Sequence, residues 1–220
     1  MHRNMLACPA CTTTVGHGYH WSAYDMQESL YATTVQSCRR NGSESVDALD
    51  FGAGPYGVSR MILEHVLDLR RDHLALFDPY TPITQPTKHH VTEVSEDEIY
   101  SLTHAPFDII SVSYILCCME PSRAKIMLTK LQKAQRSATY MFVDYTLRGM
   151  TRKDVLALLT AREEMKWRAH MGEDTFARTR TQHTRASLAA LIHESGLRVL
   201  THESLDPKGY RTGVVARADV

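Results

Sequence analysis

The sequence lacks several features that would place it in a specialised class of protein. It contains no run of about 18 consecutive apolar residues, the length that a membrane-spanning helix needs. It has 25 Lys and Arg against 25 Asp and Glu, so no net charge steers it toward nucleic acid or an anionic membrane. Its five cysteines include the neighbours Cys117 and Cys118, and an odd number does not suit a disulfide framework.

The first residues also lack the apolar core of a signal peptide, because His2 and Arg3 precede Cys8 and Cys11. These absences predict a cytoplasmic protein that has neither nucleic acid nor a membrane as partner. The 220 residues are 43% apolar and 23% charged, which suits one α/β domain with a full core and a small appendage.

A glycine-rich segment, Asp50–Gly57, lies between a strand pattern and a helix pattern. The apolar run of Val46–Leu49, broken only by Asp47, leads into it, and apolar residues recur at helical spacing from Val58 onward. The spacing reads G-x-G-x-x-G, which by itself indicates a dinucleotide site. Pro55 removes an N–H from a turn that would cradle a pyrophosphate, and Asp50 suits a ligand that carries a cation. NAD is therefore the least favoured ligand.

Further segments follow in a definite order. The pattern predicts a second strand at His73–Phe77 that ends at Asp78, and a buried central strand at Phe107–Leu116. It also predicts a third strand at Lys88–Val94 and a fifth strand at Ser137–Thr146. Two helices are predicted at Pro121–Gln135 and Arg185–Glu194, and two terminal strands at Leu197–Leu205 and Tyr210–Ala218. A further helix is predicted at Met150–His170.

Taken in order, these segments resemble the class I S-adenosylmethionine-dependent methyltransferases over roughly residues 45–218. The resemblance implies a seven-stranded, mostly parallel, doubly wound α/β sheet with an antiparallel terminal strand pair and an N-terminal helical cap. It divides the chain into a cap over the active site at residues 1–42 and a catalytic domain at residues 43–220. The implied cofactor is S-adenosylmethionine, and the implied partner is a small-molecule substrate.

The resemblance also assigns cofactor-binding roles to the residues that match the family's motifs. Asp50 is expected near the ammonium group of the cofactor, and Asp78 is expected to bind the ribose. The full set implied for the cofactor is Asp50, Gly52, Gly54, Gly57, Asp78, Pro79, Ser95, Glu96, Ser113 and Tyr114. The adenine position departs from the family pattern, since Ser95 stands where an acidic residue is usual. Ser95 and Glu98 have capping-box spacing, so capping is the favoured role of Ser95.

Candidate catalytic residues come mainly from the predicted cap. An amphipathic helix is predicted at Ser22–Val35, followed by a linker at Arg39–Ser43, and the core is expected to begin after residue 44. His20 is the favoured general base, with Tyr24 and Asp144 as further candidates. Cys117 and Cys118 stand where many relatives carry histidines, so a base at that position is missing.

Two features outside the resemblance have ordinary interpretations that we favour. Cys8 and Cys11, followed by His17 and His20, have the ligand types of a zinc site, but the spacing is too short for the usual finger. We therefore predict ordinary thiols and no metal. The basic loop at residues 172–183 is read as a solvated face rather than as a contact to an anionic substrate.

The leading hypothesis is a methyltransferase that acts on a small molecule. One alternative is an enzyme of the same fold that uses the cofactor for non-methyl transfer, or for cyclisation of its aminocarboxypropyl arm with release of methylthioadenosine. A further alternative is a cofactor-binding accessory protein without catalysis. Neither the acceptor nor the oligomeric state can be read from the sequence.

Overall fold

The structure is a computed structural model, and for residues 17–24 it describes the backbone alone. The parts of the chain that it describes are residues 17–40, 42, 44–53, 58–79, 83, 90–101, 106–116, 119–146, 183–205, 209 and 211–219. The predicted helix at Met150–His170 and the basic loop, apart from His183, lie outside this part of the chain.

The strands of the described residues form one seven-stranded sheet in the order β3-β2-β1-β4-β5-β7-β6. They are β1 Asp47–Phe51, β2 His73–Phe77, β3 Val91–Glu93, β4 Ile109–Ser113, β5 Thr139–Tyr145, β6 Leu197–Ser204 and β7 Arg211–Ala218. Neighbours among β1 to β5 pair in parallel, while β7 is antiparallel to both β5 and β6. The predicted doubly wound sheet with its antiparallel terminal pair is confirmed.

The helices of the described residues are α1 His17–Arg40, α2 Val58–Val66, α3 Glu96–Tyr100, α4 Pro121–Ala134 and α5 Arg185–Glu194. α1 is longer than the predicted Ser22–Val35, and the interpretation of Arg39 and Arg40 as linker is wrong. Arg39 lies in the last turn of the helix instead, where its positive charge complements the helix dipole and bonds the buried Asp72. In this described part no helix has the length and apolarity to cross a membrane.

Two apolar cores cover the two faces of the sheet. One lies beneath α1 and α2 and contains side chains such as Tyr31, Ile62 and Val143. The other lies beneath α3, α4 and α5 and contains side chains such as Leu128 and Ile192. Because successive strand residues point to opposite faces, the central strands β1, β2, β4 and β5 contribute to both cores, whereas β3 at the edge of the sheet is buried only at Val91.

The core does not begin after residue 44 as the sequence predicts, because α1 contributes to it. Four α1 residues, Leu30, Tyr31, Val35 and Cys38, are buried in the same cluster as the β1 and β4 side chains. The helix approaches β7 closely at Gly213, where an added Cβ would lie 2.8 Å from Leu30 Cδ2. α1 is thus an integral helix of the layer, and its role as a cap over the site stays a prediction.

Short-range signals position the remaining helices as predicted. Ser95 and Glu98 form a capping box at the start of α3, and Thr184 caps α5 through the backbone N–H of Ser187. α5 ends before Gly196, whose φ of +85° is the left-handed conformation that glycine adopts at low cost. Buried side chains such as Ile99 and Leu188 then pack α3 and α5 on the face opposite α1.

Candidate functional site

The predicted glycine turn begins at the carboxyl end of β1. Gly52 has φ +93°, and its backbone N–H, with that of Ala53, donates to the carbonyl of Phe77 at 2.7 and 3.0 Å. A Cβ on Gly52 would lie 3.1 Å from Ile115, so the position needs glycine for both conformation and space. The turn after β1 is therefore tied to the end of the neighbouring strand β2, at the sheet edge where open α/β folds bind ligands. Gly54 and Gly57 lie outside the described residues.

Asp50 is the last residue but one of β1 before this turn, and it is fully buried. The hydroxyl of Ser59 donates to its Oδ2 at 2.9 Å. Burial raises the pKa of the Asp50 carboxyl from 3.8 to about 7, and the Ser59 hydrogen bond partly opposes this shift. Oδ1 has no hydrogen-bond partner among the described residues. A buried acceptor in this state is complementary to a cationic ligand.

Asp78 and Pro79 follow β2 at the same edge of the sheet. Asp78 is partly buried, Pro79 is exposed, and the Asp78 charge is close enough to contribute to the raised pKa of Asp50. β1 and β2 are parallel neighbours, with Asp50 opposite Leu76, so Asp78 lies just beyond the level of Asp50. The structure thus brings together the two carboxylates that the sequence assigned to one ligand.

The carboxyl half of β4 carries a buried group of hydroxyls that contacts α1. The Tyr31 hydroxyl lies 2.7 Å from Ser111 Oγ and 2.6 Å from Ser113 Oγ, and the two serine oxygens are 3.0 Å apart. Burial, and then the charge of Asp50, raise the pKa of Tyr31 above its ordinary range. Ser111 is the register partner of Asp50 on β1, so this hydroxyl cluster adjoins the buried carboxyl.

Tyr114 follows β4 with φ +57°, an uncommon conformation for a residue with a side chain. Its hydroxyl donates to Gln27 Oε1 at 2.8 Å, and its ring lies 5.3 Å from the Tyr145 ring at an angle of 45°. Backbone strain of this kind clusters at functional sites, where the surroundings impose it. The predicted pair of Ser113 and Tyr114 therefore faces α1 as well as the end of the sheet.

Of the three predicted catalytic residues, the structure describes the side chain of Asp144 alone. Asp144 is fully buried near the end of β5, and its Oδ1 accepts the backbone N–H of Tyr145 at 2.7 Å. The backbone of His20 and Tyr24 lies in α1, but their side chains are outside the described part, as are Cys8 and Cys11. Their roles stay predictions.

The predicted adenine contacts lie on the exposed start of α3. Ser95 accepts the backbone N–H of Glu98 as a cap, and Glu96 lies 3.4 Å from the ammonium of Lys130 on α4. The capping role favoured for Ser95 is confirmed. A contact of either side chain with adenine stays a prediction.

Four residues of this region were not assigned a role from the sequence, namely Gln27 and Tyr31 on α1 and Ser59 and Arg60 on α2. All four are buried, although Gln, Ser and Arg are residue types that are mostly exposed. Ser59 and Arg60 directly follow the glycine segment, so their position in the chain was an available signal. Gln27 and Tyr31 are identified by tertiary contacts to β4, which are 80 or more residues away.

No group of three or more His, Cys, Asp and Glu side chains suited to a metal ion occurs among the residues that the structure describes. The buried carboxyls of this region are held by hydroxyl and backbone donors instead, as at Asp50 and Asp144.

No protein-family model matches the sequence, and no curated protein matches it. Among solved structures, that of human N-acetylserotonin methyltransferase with S-adenosylmethionine has a TM-score of 0.55 and 11% identity over 90% of this chain. NcsB1, an O-methyltransferase from neocarzinostatin biosynthesis, has a TM-score of 0.54 and 13% identity over 91% of this chain. LepI in complex with S-adenosylmethionine has a TM-score of 0.57 and 12% identity over 81% of this chain.

The chain covers 56%, 61% and 44% of the lengths of these three proteins, so it corresponds to about half of each. At such low identity the comparison establishes the architecture, with the glycine turn and Asp50 at the edge where this architecture binds ligands. The chain therefore has the Rossmann-like fold of the class I S-adenosylmethionine-dependent methyltransferases.

Proposed function

We propose that this chain is an S-adenosylmethionine-dependent methyltransferase that acts on a small molecule. The observation that carries the proposal is the buried carboxyl of Asp50, whose Oδ1 has no partner among the described residues, beside the tight turn at Gly52. This is where the resemblance places the ammonium group of the cofactor. Small-molecule methyltransferases among the solved structures share the fold.

The residues present fit this cofactor on three separate grounds. Asp50 supplies an anionic acceptor for an ammonium group, and Asp78 supplies a carboxylate at the adjacent strand end for two ribose hydroxyls. Gly52 lacks a side chain that would press on Ile115, so the tight turn beside these two carboxyls is retained. Gly54, Gly57, Pro79, Ser113 and Tyr114 complete the proposed set.

When bound, the cofactor supplies a methyl group on a positively charged sulfur. Held by Asp50, Gly52 and Asp78, it would supply that methyl group to an acceptor atom, with the electron pair of the broken carbon–sulfur bond left on sulfur and a proton released from the acceptor. The protein's task is to exclude water, align the acceptor and take that proton. The paired rings of Tyr114 and Tyr145 offer aromatic faces to a cation, each contributing about 0.5–2 kcal/mol.

Three residues are proposed for handling the proton, namely His20, Tyr24 and Asp144. Asp144 is at the carboxyl end of β5, the neighbour of β4, so it lies on the same edge of the sheet as Ser113. Because one of its oxygens is held by a backbone N–H, the carboxyl has a defined orientation. His20 and Tyr24 are in α1, upstream of the Gln27 that contacts Tyr114.

A second function of the same fold is carried by a specific comparison. Structures with a TM-score of 0.57 include one of a pericyclic reaction enzyme and one of LepI with S-adenosylmethionine, so this architecture is not confined to proteins described as methyltransferases. For this chain the alternative is use of the cofactor's aminocarboxypropyl arm, by transfer or by attack of its own amino group. That reaction breaks a different carbon–sulfur bond and releases methylthioadenosine.

Product identification separates these functions. Purified protein is incubated with S-adenosylmethionine, alone and with a panel of hydroxylated aromatic acids, because NcsB1 is described with 1,4-dihydroxy-2-naphthoic acid. We expect S-adenosylhomocysteine by mass spectrometry, formed only when a suitable acceptor is present. Steady methylthioadenosine above the spontaneous background without acceptor contradicts methyl transfer and supports the alternative. Tight cofactor binding without product from any acceptor supports a non-catalytic accessory protein.

A further inference from the structure

A buried arginine on β7 lies beside the carboxyl end of β5, three strands along the sheet from the glycine turn after β1. Arg211 is the first residue of β7 and is 4% exposed. It is the register partner of Tyr145, the last residue of β5, and its guanidinium carbon lies 5.9 Å from the centroid of the Tyr145 ring. Arginine is rarely buried, so its position at the ligand-binding edge of this fold indicates a role for its charge.

Arg211 faces the layer that contains α1. Opposite residues of an antiparallel pair point to the same face, and Tyr145 belongs to the core cluster beneath α1. Two residues further along β7, a Cβ added to Gly213 would lie 2.8 Å from Leu30 on α1, so strand alternation gives Arg211 the same orientation. The Tyr145 ring in turn lies 5.3 Å from the Tyr114 ring. Arg211, Tyr145 and Tyr114 therefore form a row along the ends of β7, β5 and β4.

The row continues to α1 through the side-chain amide of Gln27. This residue is fully buried, and its Oε1 accepts the Tyr114 hydroxyl at 2.8 Å, while its Nε2 has no hydrogen-bond partner among the described residues. Buried donors are nearly always paired, so this one indicates an acceptor atom on a ligand. At the other end of the row, a guanidinium carries five N–H donors in a planar fork that matches a carboxylate. Two tyrosine rings between these donors are complementary to a flat molecule that carries an anionic group.

We propose that the methyl acceptor is an aromatic carboxylate, whose carboxylate group binds Arg211 and whose ring packs along Tyr145 and Tyr114. This assignment rests on the proposed function, because it takes the ligand to be the acceptor of the methyl group. Gln27 keeps Oε1 on the Tyr114 hydroxyl and donates through Nε2 to a second oxygen of the same molecule. Bound S-adenosylmethionine is positively charged at sulfur, so the cofactor and Arg211 both favour an anion over a neutral acceptor. Arg211 is thus a residue that determines specificity.

The test is calorimetric binding of matched probes to protein that is saturated with S-adenosylhomocysteine. The probes are benzoate, 2-naphthoate and anthracene-2-carboxylate, each compared with its primary amide, which has nearly the same shape and no charge. For the unaltered protein we expect at least one acid to bind about 10- to 100-fold more tightly than its amide, the range for a charge-assisted contact. Arg211→Gln should bring that acid to within about threefold of its amide. Arg211→Lys keeps the charge without the planar fork and should retain part of the preference.

The control variant is Arg198→Gln, because Arg198 is an exposed arginine on β6 that lies 3.7 Å from Asp219. It should leave the ratio of acid to amide affinity unchanged. Equal binding of every acid and its amide by the unaltered protein overturns the assignment, as does the failure of all three acids to bind, or a preference that survives in Arg211→Gln. If Arg211→Gln does not fold, Arg211→Lys decides, since it should weaken the acid and leave its amide unchanged. The proposed function survives these results while S-adenosylhomocysteine binds, and it fails separately if the unaltered protein does not bind that ligand.

Discussion

Replacing Asp50 by asparagine tests whether the pKa of the buried Asp50 carboxyl is raised, through the pH dependence of the free energy of unfolding. The folded protein raises the pKa of this carboxyl from 3.8 to about 7, so between these values the folded chain holds a proton that the unfolded chain has released. Stability therefore falls as pH rises, by about 1.4 kcal/mol per pH unit. The stability that the folded protein gains by keeping the Asp50 proton is fully present below about pH 4 and is lost once pH passes about 7. Over that range the free energy of unfolding changes by about 4 kcal/mol in total.

The comparison of the two proteins isolates this single group. Asparagine has almost the same shape and does not ionise, and the other titrating groups are common to both chains. The difference in the free energy of unfolding should shift by about 3 kcal/mol in favour of Asp50→Asn between pH 5 and pH 8. Urea denaturation at several pH values, followed by circular dichroism, measures it. A difference that stays constant over this range would refute the raised pKa.

The same titration makes a prediction about ligand binding. A cationic ammonium group binds the ionised carboxylate, so the free protein must lose the Asp50 proton before or during binding. The affinity for S-adenosylhomocysteine should therefore rise up to tenfold per pH unit below about 7 and level off above it. Calorimetry in two buffers of different ionisation enthalpy should detect proton release at pH 6. A pH-independent affinity would show that Asp50 does not face the ligand's cation.

Further predictions concern cofactor binding and the packing of α1. Asp78→Ala should lower the affinity for S-adenosylhomocysteine at least tenfold in calorimetry, through loss of the ribose acceptor, whereas unchanged affinity would place the ribose elsewhere. Tyr31→Phe leaves two buried serine hydroxyls without their common partner and should cost about 1–2 kcal/mol in urea denaturation. Gly213→Ala forces a Cβ to 2.8 Å from Leu30 and should lower the free energy of unfolding by about 1–2 kcal/mol. An unchanged free energy of unfolding would contradict the close approach of α1 to β7. Removal of residues 1–40 should abolish cooperative thermal unfolding, because it takes a helix out of the core; a sharp transition would instead support a separable cap.

The order of the strands in the sequence could be predicted because the central parallel strands are buried on both faces. β4 is fully buried from Ile109 to Ser113, and its near-continuous apolar pattern is visible without any tertiary information. The helix starts at Ser95 and Thr184 could also be predicted, because a capping side chain bonds a residue only three positions further along the chain. The end of α1 was not predictable, because Arg39 remains helical through a bond to Asp72, which is 33 residues away.

The same distinction explains which part of the site was found. Asp50, Gly52 and Asp78 stand at strand ends with recognisable spacing, so their convergence follows from the parallel sheet alone. Gln27 and Tyr31 have no such spacing, and in sequence they are residues of an amphipathic helix. Their role depends on how α1 packs across β4, a contact between segments 80 or more residues apart.

Packing and ligand binding are consequently linked through α1. The helix buries Leu30 and Val35 in the core while Gln27 and Tyr31 meet the polar end of β4, so one rigid element supports both the fold and the proposed site. A ligand that binds beside Asp50 and contacts α1 would stabilise the docked helix, by about 2.7 kcal/mol at a concentration 100 times its dissociation constant. Among the described residues, an unbound chain leaves Nε2 of Gln27 and Oδ1 of Asp50 buried and without partners, which weakens docking at the helix's amino end.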